Sequence, residues 1–171
     1  MHRDHLIATL TQGLEFLANI SDDVYRRSPA TIEMSPVGEH YRHHLDYVQV
    51  LVRGLSDGWI DYDQRERNLE VSTQRATAIE KTHQLIAELR EIPDPLLHQQ
   101  VEAIHASYPE GPRVATQSTP AREFLFVNSH ASHHFAIIRL IAELLGNEVD
   151  PTFGIAPSTL KHQETTGLKQ K

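Results

Sequence analysis

The sequence predicts an all-α protein, a four-helix bundle with a short β-hairpin between its third and fourth helices. Three observations lead to this fold. The chain has 171 residues, of which 39% are apolar, and this suits one domain with its own core. Four long segments repeat apolar residues at the spacing of a helix with one buried face. Polar connections that contain proline or glycine separate these segments.

The first two helices follow from apolar spacing and from a capping pattern. Residues 4–20 carry apolar side chains such as Leu6 and Leu10 on one helical face, and they predict the first helix. Ser35-Pro36 predicts the start of the second helix, because a serine cap followed by proline is typical of helix N-termini. This helix runs to about residue 55.

The third helix and the hairpin come next along the chain. Residues 57–67 are rich in charge and predict a structured loop. The third helix follows and runs to about Glu91, because Pro93 and Pro95 stop it. Residues 101–108 and 113–118 flank the turn-forming sequence Pro-Glu-Gly-Pro and predict a β-hairpin. A helical turn in the first of these two segments is the alternative.

The fourth helix repeats the capping pattern of the second. Thr119-Pro120 predicts its start, and Gly146-Asn147 predicts its end near residue 145. The following residues become polar and contain few apolar side chains. We therefore predict one bundle domain over residues 1–160 and a polar, flexible C-terminal tail over residues 161–171.

Composition excludes several classes of function. Cysteine is absent, so disulfides, thiolate metal sites and thiol nucleophiles are excluded together. The net charge of −7 argues against a nucleic-acid partner and against an anionic membrane surface. No apolar run is long enough to span a bilayer, and the first residues lead directly into a helix without a leader pattern. We expect a soluble cytoplasmic protein.

Six of the twelve histidines lie in two clusters, at residues 40–44 and 130–134. His40, His43 and His44 lie in the second helix, while His130 and His134 lie four residues apart in the fourth. The latter spacing places two imidazoles on one face, one turn apart, where both can reach one ion. An inward histidine of the second helix would complete a three-histidine metal site with open positions. The alternative is a solvated edge or a hydrogen-bonded core pair without metal.

The helical wheel alone leaves the ligand of the second helix open. His44 lies near the middle of the apolar face, His40 lies near its edge, and His43 lies further round. Periodicity favours His44, whereas a ligand on the flank that faces a neighbouring helix favours the side with His40 and His43.

Two segments resemble the DinB/YfiT-like superfamily of metal-dependent proteins. These are VGEHYRHHLD at residues 37–46 and HASHHFAII at residues 130–138. The resemblance covers the chain to about residue 160. It implies a divalent ion such as Zn²⁺ or Ni²⁺ held by His43, His130 and His134, with His40 and His44 as alternatives in the second helix. The chain departs from the family at residues 135–138, where apolar residues replace small and polar ones.

The resemblance also implies an enzyme with a small-molecule substrate. In that case the metal would activate water or a low-molecular-weight thiol, in the manner of a hydrolase or a thiol S-transferase. Glu123 and Asp46 are candidates for orienting ligands or moving protons, with a surface helix charge as the alternative for Asp46. Arg65 and Arg67 in the polar loop are candidates for holding an anionic substrate.

Three further expectations complete the sequence-based account. The rival function is a non-catalytic, metal-binding structural or stress-associated bundle, and a third alternative is a chain that retains the histidines without binding metal. The sequence leaves open whether the chain forms a homodimer. If the histidines are ligands, metal loading should fall on acidification through about pH 6, because imidazole must be neutral to bind a metal.

Overall fold

The computed structural model describes residues 1–105 and 111–166. Within these residues there are seven helices, three strands and one 3₁₀ turn at Asp94–Leu97. The helices are α1 (His2–Ala18), α2 (Asp22–Arg26), α3 (Val37–Asp57), α4 (Leu69–Thr73), α5 (Arg75–Glu91), α6 (Pro120–Leu144) and α7 (Pro157–Thr166). The strands are β1 (Trp59–Asp61), β2 (Val101–Ile104) and β3 (Ala115–Ser118).

Four long helices form the bundle that the apolar spacing predicts. Helix α3 packs against α5 and α6, and α1 packs against the same two helices. Each long helix contributes fully buried side chains to one continuous core, for example Leu10, Leu51, Leu85 and Val127. The helical bundle with short strands is confirmed.

Two short helices were not predicted. Ser21 caps α2, because its hydroxyl accepts a hydrogen bond from the backbone N–H of Val24 at 3.2 Å. The prediction of one continuous third helix is wrong, because Gln74 adopts an extended conformation with φ −123° and divides that segment into α4 and α5. Neither the short helix α2 nor the break at Gln74 produces a strong signal in the apolar spacing.

The predicted hairpin is present, and a third strand extends it. Strands β2 and β3 pair antiparallel, with Val101 opposite Ser118. Residues 106–110, which include part of the predicted turn, lie outside the described residues. The structured loop predicted over residues 57–67 contains a strand that was not predicted, because β1 pairs parallel with β2. A three-residue strand is too short to show alternating hydrophobicity.

Capping residues act largely as predicted at α6. The Thr119 hydroxyl accepts a hydrogen bond from the N–H of Arg122, and Pro120 is the first helical residue. Gly146 has φ +84°, and its N–H donates to the carbonyl of Glu143. The N–H of Asn147 donates to the carbonyl of Ala142, and together these two bonds form a Schellman motif. The second helix starts one residue later than the serine cap implies, after Pro36.

A helix extends into the predicted C-terminal tail. Helix α7 includes residues 161–166, and the flexibility of the tail stays a prediction. Hydroxyl groups of Thr165 and Thr166 donate to backbone carbonyls one turn earlier. Residues 167–171 lie outside the described residues. No helix in the described part of the chain is both long and apolar enough to cross a membrane.

Candidate metal centre

Helices α3 and α6 bring three histidines together. His43 comes from α3, and His130 and His134 come from α6. One ring nitrogen from each residue lies within 4.8 Å of the other two. The ring centroids are separated by 4.6 to 5.1 Å. This group is called the histidine cluster below.

Helix periodicity explains why these side chains meet. His130 and His134 are one turn apart on α6, between the buried residues Val127 and Ile138. The middle of the apolar face of α3 is occupied by core residues such as Leu45 and Val48, and His43 lies on the flank of that face. Because α3 and α6 pack along their lengths, this flank of α3 meets the histidine pair of α6.

His44 takes a different position in the core. It is fully buried, and its ring makes edge contacts with the rings of Tyr41 and Phe135 at centroid distances of 4.6 and 4.9 Å. Neither ring nitrogen has a hydrogen-bond partner among the described residues. Burial holds the pKa of His44 well below its ordinary value, so the ring is neutral. The structure does not place His44 in the histidine cluster.

His40 contacts the histidine cluster from one turn before His43. Its Nδ1 lies 3.2 Å from Nδ1 of His134. One of these nitrogens must carry the hydrogen and the other must accept it. When His134 is the donor, its Nε2 keeps a free lone pair, which is the tautomer that a metal ligand needs.

The three clustered imidazoles are neutral at pH 7. Burial, followed by the effect of neighbouring histidines, lowers the pKa of His43 and of His130 to about 4. Burial also lowers the pKa of His134 to about 3. A neutral imidazole offers a lone pair to a cation without first losing a proton, so the cluster is prepared for metal binding.

The stacked rings of Tyr47 and Tyr62 form an aromatic wall beside the histidine cluster. Tyr47 stacks on His130 with ring centroids 3.9 Å apart, and Tyr62 stacks on the Tyr47 ring at 5.2 Å. The hydroxyl of Tyr47 is 3.0 Å from Nε2 of His105, and the hydroxyl of Tyr62 donates to Glu123 at 2.7 Å. These contacts fix the ring that supports His130.

Arg65 reaches the histidine cluster from the loop after β1. Its Nη1 lies 3.4 Å from Nδ1 of His43, and its guanidinium carbon lies 5.1 Å from the centroid of the Tyr47 ring. Its Nε is buried and has no partner among the described residues. Arg67 of the same loop is exposed and contacts none of the three histidines within the described chain. The structure therefore separates two arginines that the sequence presents as a pair.

The two predicted acid–base residues lie outside the histidine cluster. Buried Glu123 accepts hydrogen bonds from Tyr62 and from the Ser118 hydroxyl, the latter at 2.5 Å. Buried Asp46 accepts a hydrogen bond from Arg42 at 3.0 Å, and burial raises the pKa of its carboxyl. Their catalytic roles stay predictions.

Two contributors to this site were not identified from the sequence. They are Tyr62 and His105, and the isolated position of His105 gives no spacing signal. Tyr47 is four residues from His43 on α3, and this helical spacing places it on the same flank of the helix as His40 and His43. The strand pairing that brings β1 beside β2 positions the other two.

Comparison with known proteins places the chain in a family. A sequence model of the DinB superfamily matches residues 5–138. The chain belongs to the DinB superfamily. The crystal structure of YjoA, a DinB-like protein of Bacillus subtilis, superposes with a TM-score of 0.60 at 19% identity, covering 86% of this chain and 94% of that one. At this identity the match shows a shared fold.

One curated relative contains a similar segment. The protein named FK506-binding protein 5 of Rhizopus delemar is 33% identical over 108 residues, which are 60% of this chain and 27% of that protein. The chain thus matches about a quarter of the length of this relative.

The histidine cluster of this DinB-superfamily chain is compatible with a divalent metal ion. Its donors are three neutral imidazoles, and in the described residues neither a carboxylate nor any other residue joins the set. The Nε2 of His130 is buried and lacks a hydrogen-bond partner among the described residues. An unsatisfied buried nitrogen is costly unless a ligand satisfies it, and a cation would do so.

Proposed function

We propose that the chain is a divalent-metal-dependent enzyme in which His43, His130 and His134 hold the ion, and that it activates water or a low-molecular-weight thiol. The observation that carries this proposal is the meeting of three neutral imidazole nitrogens within 4.8 Å on two facing helices. Three protein ligands leave a position for water or substrate, as in catalytic zinc sites, whereas structural zinc sites use four.

When bound, the ion lowers the pKa of a coordinated water or thiol, so that a nucleophilic anion forms at neutral pH. The chain supplies the surroundings. His43 and His130 are only partly buried, and a small molecule can therefore reach this side of the cluster. His40 holds the ring of His134, and Tyr47 supports the ring of His130.

Glu123 and Asp46 have different roles in this proposal. Glu123 holds the hydroxyl of Tyr62, and the Tyr62 ring stacks on Tyr47, so Glu123 acts on the cluster through the aromatic wall. Asp46 lies three residues after His43 and keeps Arg42 in place on α3. Both are positioning residues here, and neither contacts the three histidines.

The packing of the bundle favours catalysis over a purely structural metal. Helices α3 and α6 already share a buried apolar interface that includes Tyr41, Val48 and Phe135. Apolar burial contributes about 25 cal/mol per Å², so most of the stability of this interface is independent of an ion. The metal-free chain is therefore expected to stay folded. We also propose a small-molecule partner and a cytoplasmic site of action, in keeping with the net charge of −7.

The test begins with protein purified without a nickel column and loaded with zinc. Two reactions are followed, hydrolysis of p-nitrophenyl acetate and conjugation of monochlorobimane to small thiols. His134→Ala should remove both the metal and the activity while the circular dichroism of the bundle persists. His133→Ala is the matched control, because His133 is the exposed neighbour on the same helix.

Two outcomes would contradict the proposal. Activity that survives complete removal of zinc by a chelator would show that the reaction does not need the metal. A His134→Ala variant that is wholly unfolded, with a parent that unfolds on chelation, would instead support the structural function.

A further inference from the structure

Arg65 is a partly buried cation whose charge no carboxylate among the described residues neutralises at ion-pair distance. The neighbouring carboxylates are paired with other arginines. Asp46 pairs with Arg42, and Asp61 pairs with Arg113. One guanidinium N–H lies against Nδ1 of His43, and this nitrogen cannot accept a hydrogen bond once the ring binds a metal, because a neutral imidazole has a single lone pair. The Nε–H has no acceptor in the described part of the chain.

The proposed metal would add to the positive charge around Arg65. A divalent ion on the histidine cluster would add two positive charges beside the guanidinium that contacts His43. Like charges a few ångströms apart repel each other, and the repulsion is stronger in a partly buried site than in water. An anionic ligand that bridges the two centres would remove this repulsion.

We propose that Arg65 binds the carboxylate of the small thiol that the metal centre takes up, and that it selects for carboxylate-bearing thiols over neutral ones. This inference rests on the proposed function. A carboxylate suits the site because a guanidinium presents its N–H groups in a planar fork that matches two carboxylate oxygens. A single guanidinium also balances one negative charge, which fits a monocarboxylate.

The experiment uses the cobalt-loaded protein and two probes that differ in charge. The probes are 3-mercaptopropionate and its methyl ester, and binding of each is followed by the cobalt–thiolate absorption. The measured quantity is the ratio of the two dissociation constants, compared between the parent and Arg65→Met. Comparing ratios cancels the intrinsic difference in thiol acidity between the probes.

The parent should prefer the carboxylate probe, and Arg65→Met should lower this preference about tenfold, the typical effect of losing a hydrogen bond to a charged group. Arg65→Lys should keep part of it, because lysine retains the charge and loses the fork. Arg67→Met is the matched control from the same loop and should keep the full preference.

The results that would overturn the inference are distinguishable from one another. If cobalt does not bind, the proposed function fails and the inference fails with it. If cobalt binds and neither thiol does, the thiol part of the proposed function fails, and the inference fails with that part. If both thiols bind and Arg65→Met changes neither their ratio nor the affinity for the metal, the inference alone fails. A weakening of metal and of both thiols by the same factor would mean that Arg65 only positions His43. If Arg65→Met does not fold, the ratio measured for Arg65→Lys decides.

Discussion

The affinity of the histidine cluster for zinc should be almost independent of pH between 7 and 6. An imidazole with the ordinary pKa of about 6.5 is about three-quarters neutral at pH 7 and about one-quarter neutral at pH 6. Three such ligands together would lose about 30-fold in affinity across this unit of pH. This is the loss through about pH 6 that the sequence predicts.

The structure predicts a much smaller loss of zinc affinity, because the pKa values of the three histidines are lowered. The pKa of His43 and of His130 is about 4, and that of His134 is about 3. Each ring is therefore already neutral at pH 6, and the expected loss between pH 7 and 6 is less than about twofold. The loss should become steep only as the pH falls toward 4.

The assay is a competition titration of zinc against a chromophoric chelator, corrected for the proton affinity of the chelator. It is run on the metal-free parent at half-unit steps from pH 7.5 to 4.5. A 30-fold loss between pH 7 and 6 would refute the reasoning, because it would mean that burial does not keep these imidazoles neutral.

Three further predictions test the surroundings of the site. His44→Leu should keep the metal and leave the free energy of unfolding in urea unchanged or higher, because it removes a buried imidazole without hydrogen-bond partners; loss of metal would return the ligand role to His44. The melting temperature of the metal-free protein should drop between pH 6.5 and 4, because in this range the histidines take up protons in the unfolded chain but stay neutral in the folded one. The melting temperature of His134→Leu should drop less over the same range, and equal drops in the two proteins would contradict this. Gly154→Ala should lower the free energy of unfolding by about 1–3 kcal/mol more than Gly146→Ala does. Both glycines have a positive φ, but only at Gly154 would a Cβ approach the backbone of α6, at 2.6 Å. Equal losses of unfolding free energy in urea titrations would contradict this packing.

Much of the fold could be predicted because it depends on local signals. Long amphipathic segments show their period in the sequence, and the Thr119-Pro120 start and the Gly146 end of α6 depend on neighbouring residues alone. Strand β1 and the break at Gln74 depend instead on tertiary packing, and three or four residues carry too little pattern to reveal it.

The candidate site shows the same division. The pair on α6 is visible as a four-residue spacing, and the family register selected His43 on α3. The helical wheel favoured His44 because a wheel identifies the centre of the buried face. In the structure His44 is a core residue at that centre and packs against Tyr41 and Phe135. The sequence suggested Arg65 and Arg67 together as anion-binding residues, and the path of the loop after β1, which no periodicity encodes, brings only Arg65 to the site.

The most direct test of the central claim is X-ray absorption spectroscopy at the zinc edge of the loaded protein. The account predicts three imidazole nitrogens at about 2.0–2.1 Å and one exchangeable light-atom ligand. Addition of 3-mercaptopropionate should replace the light atom with one sulfur at about 2.3 Å. A spectrum with four protein ligands and no change on adding the thiol would contradict the claim that His43, His130 and His134 form an open, reactive metal centre.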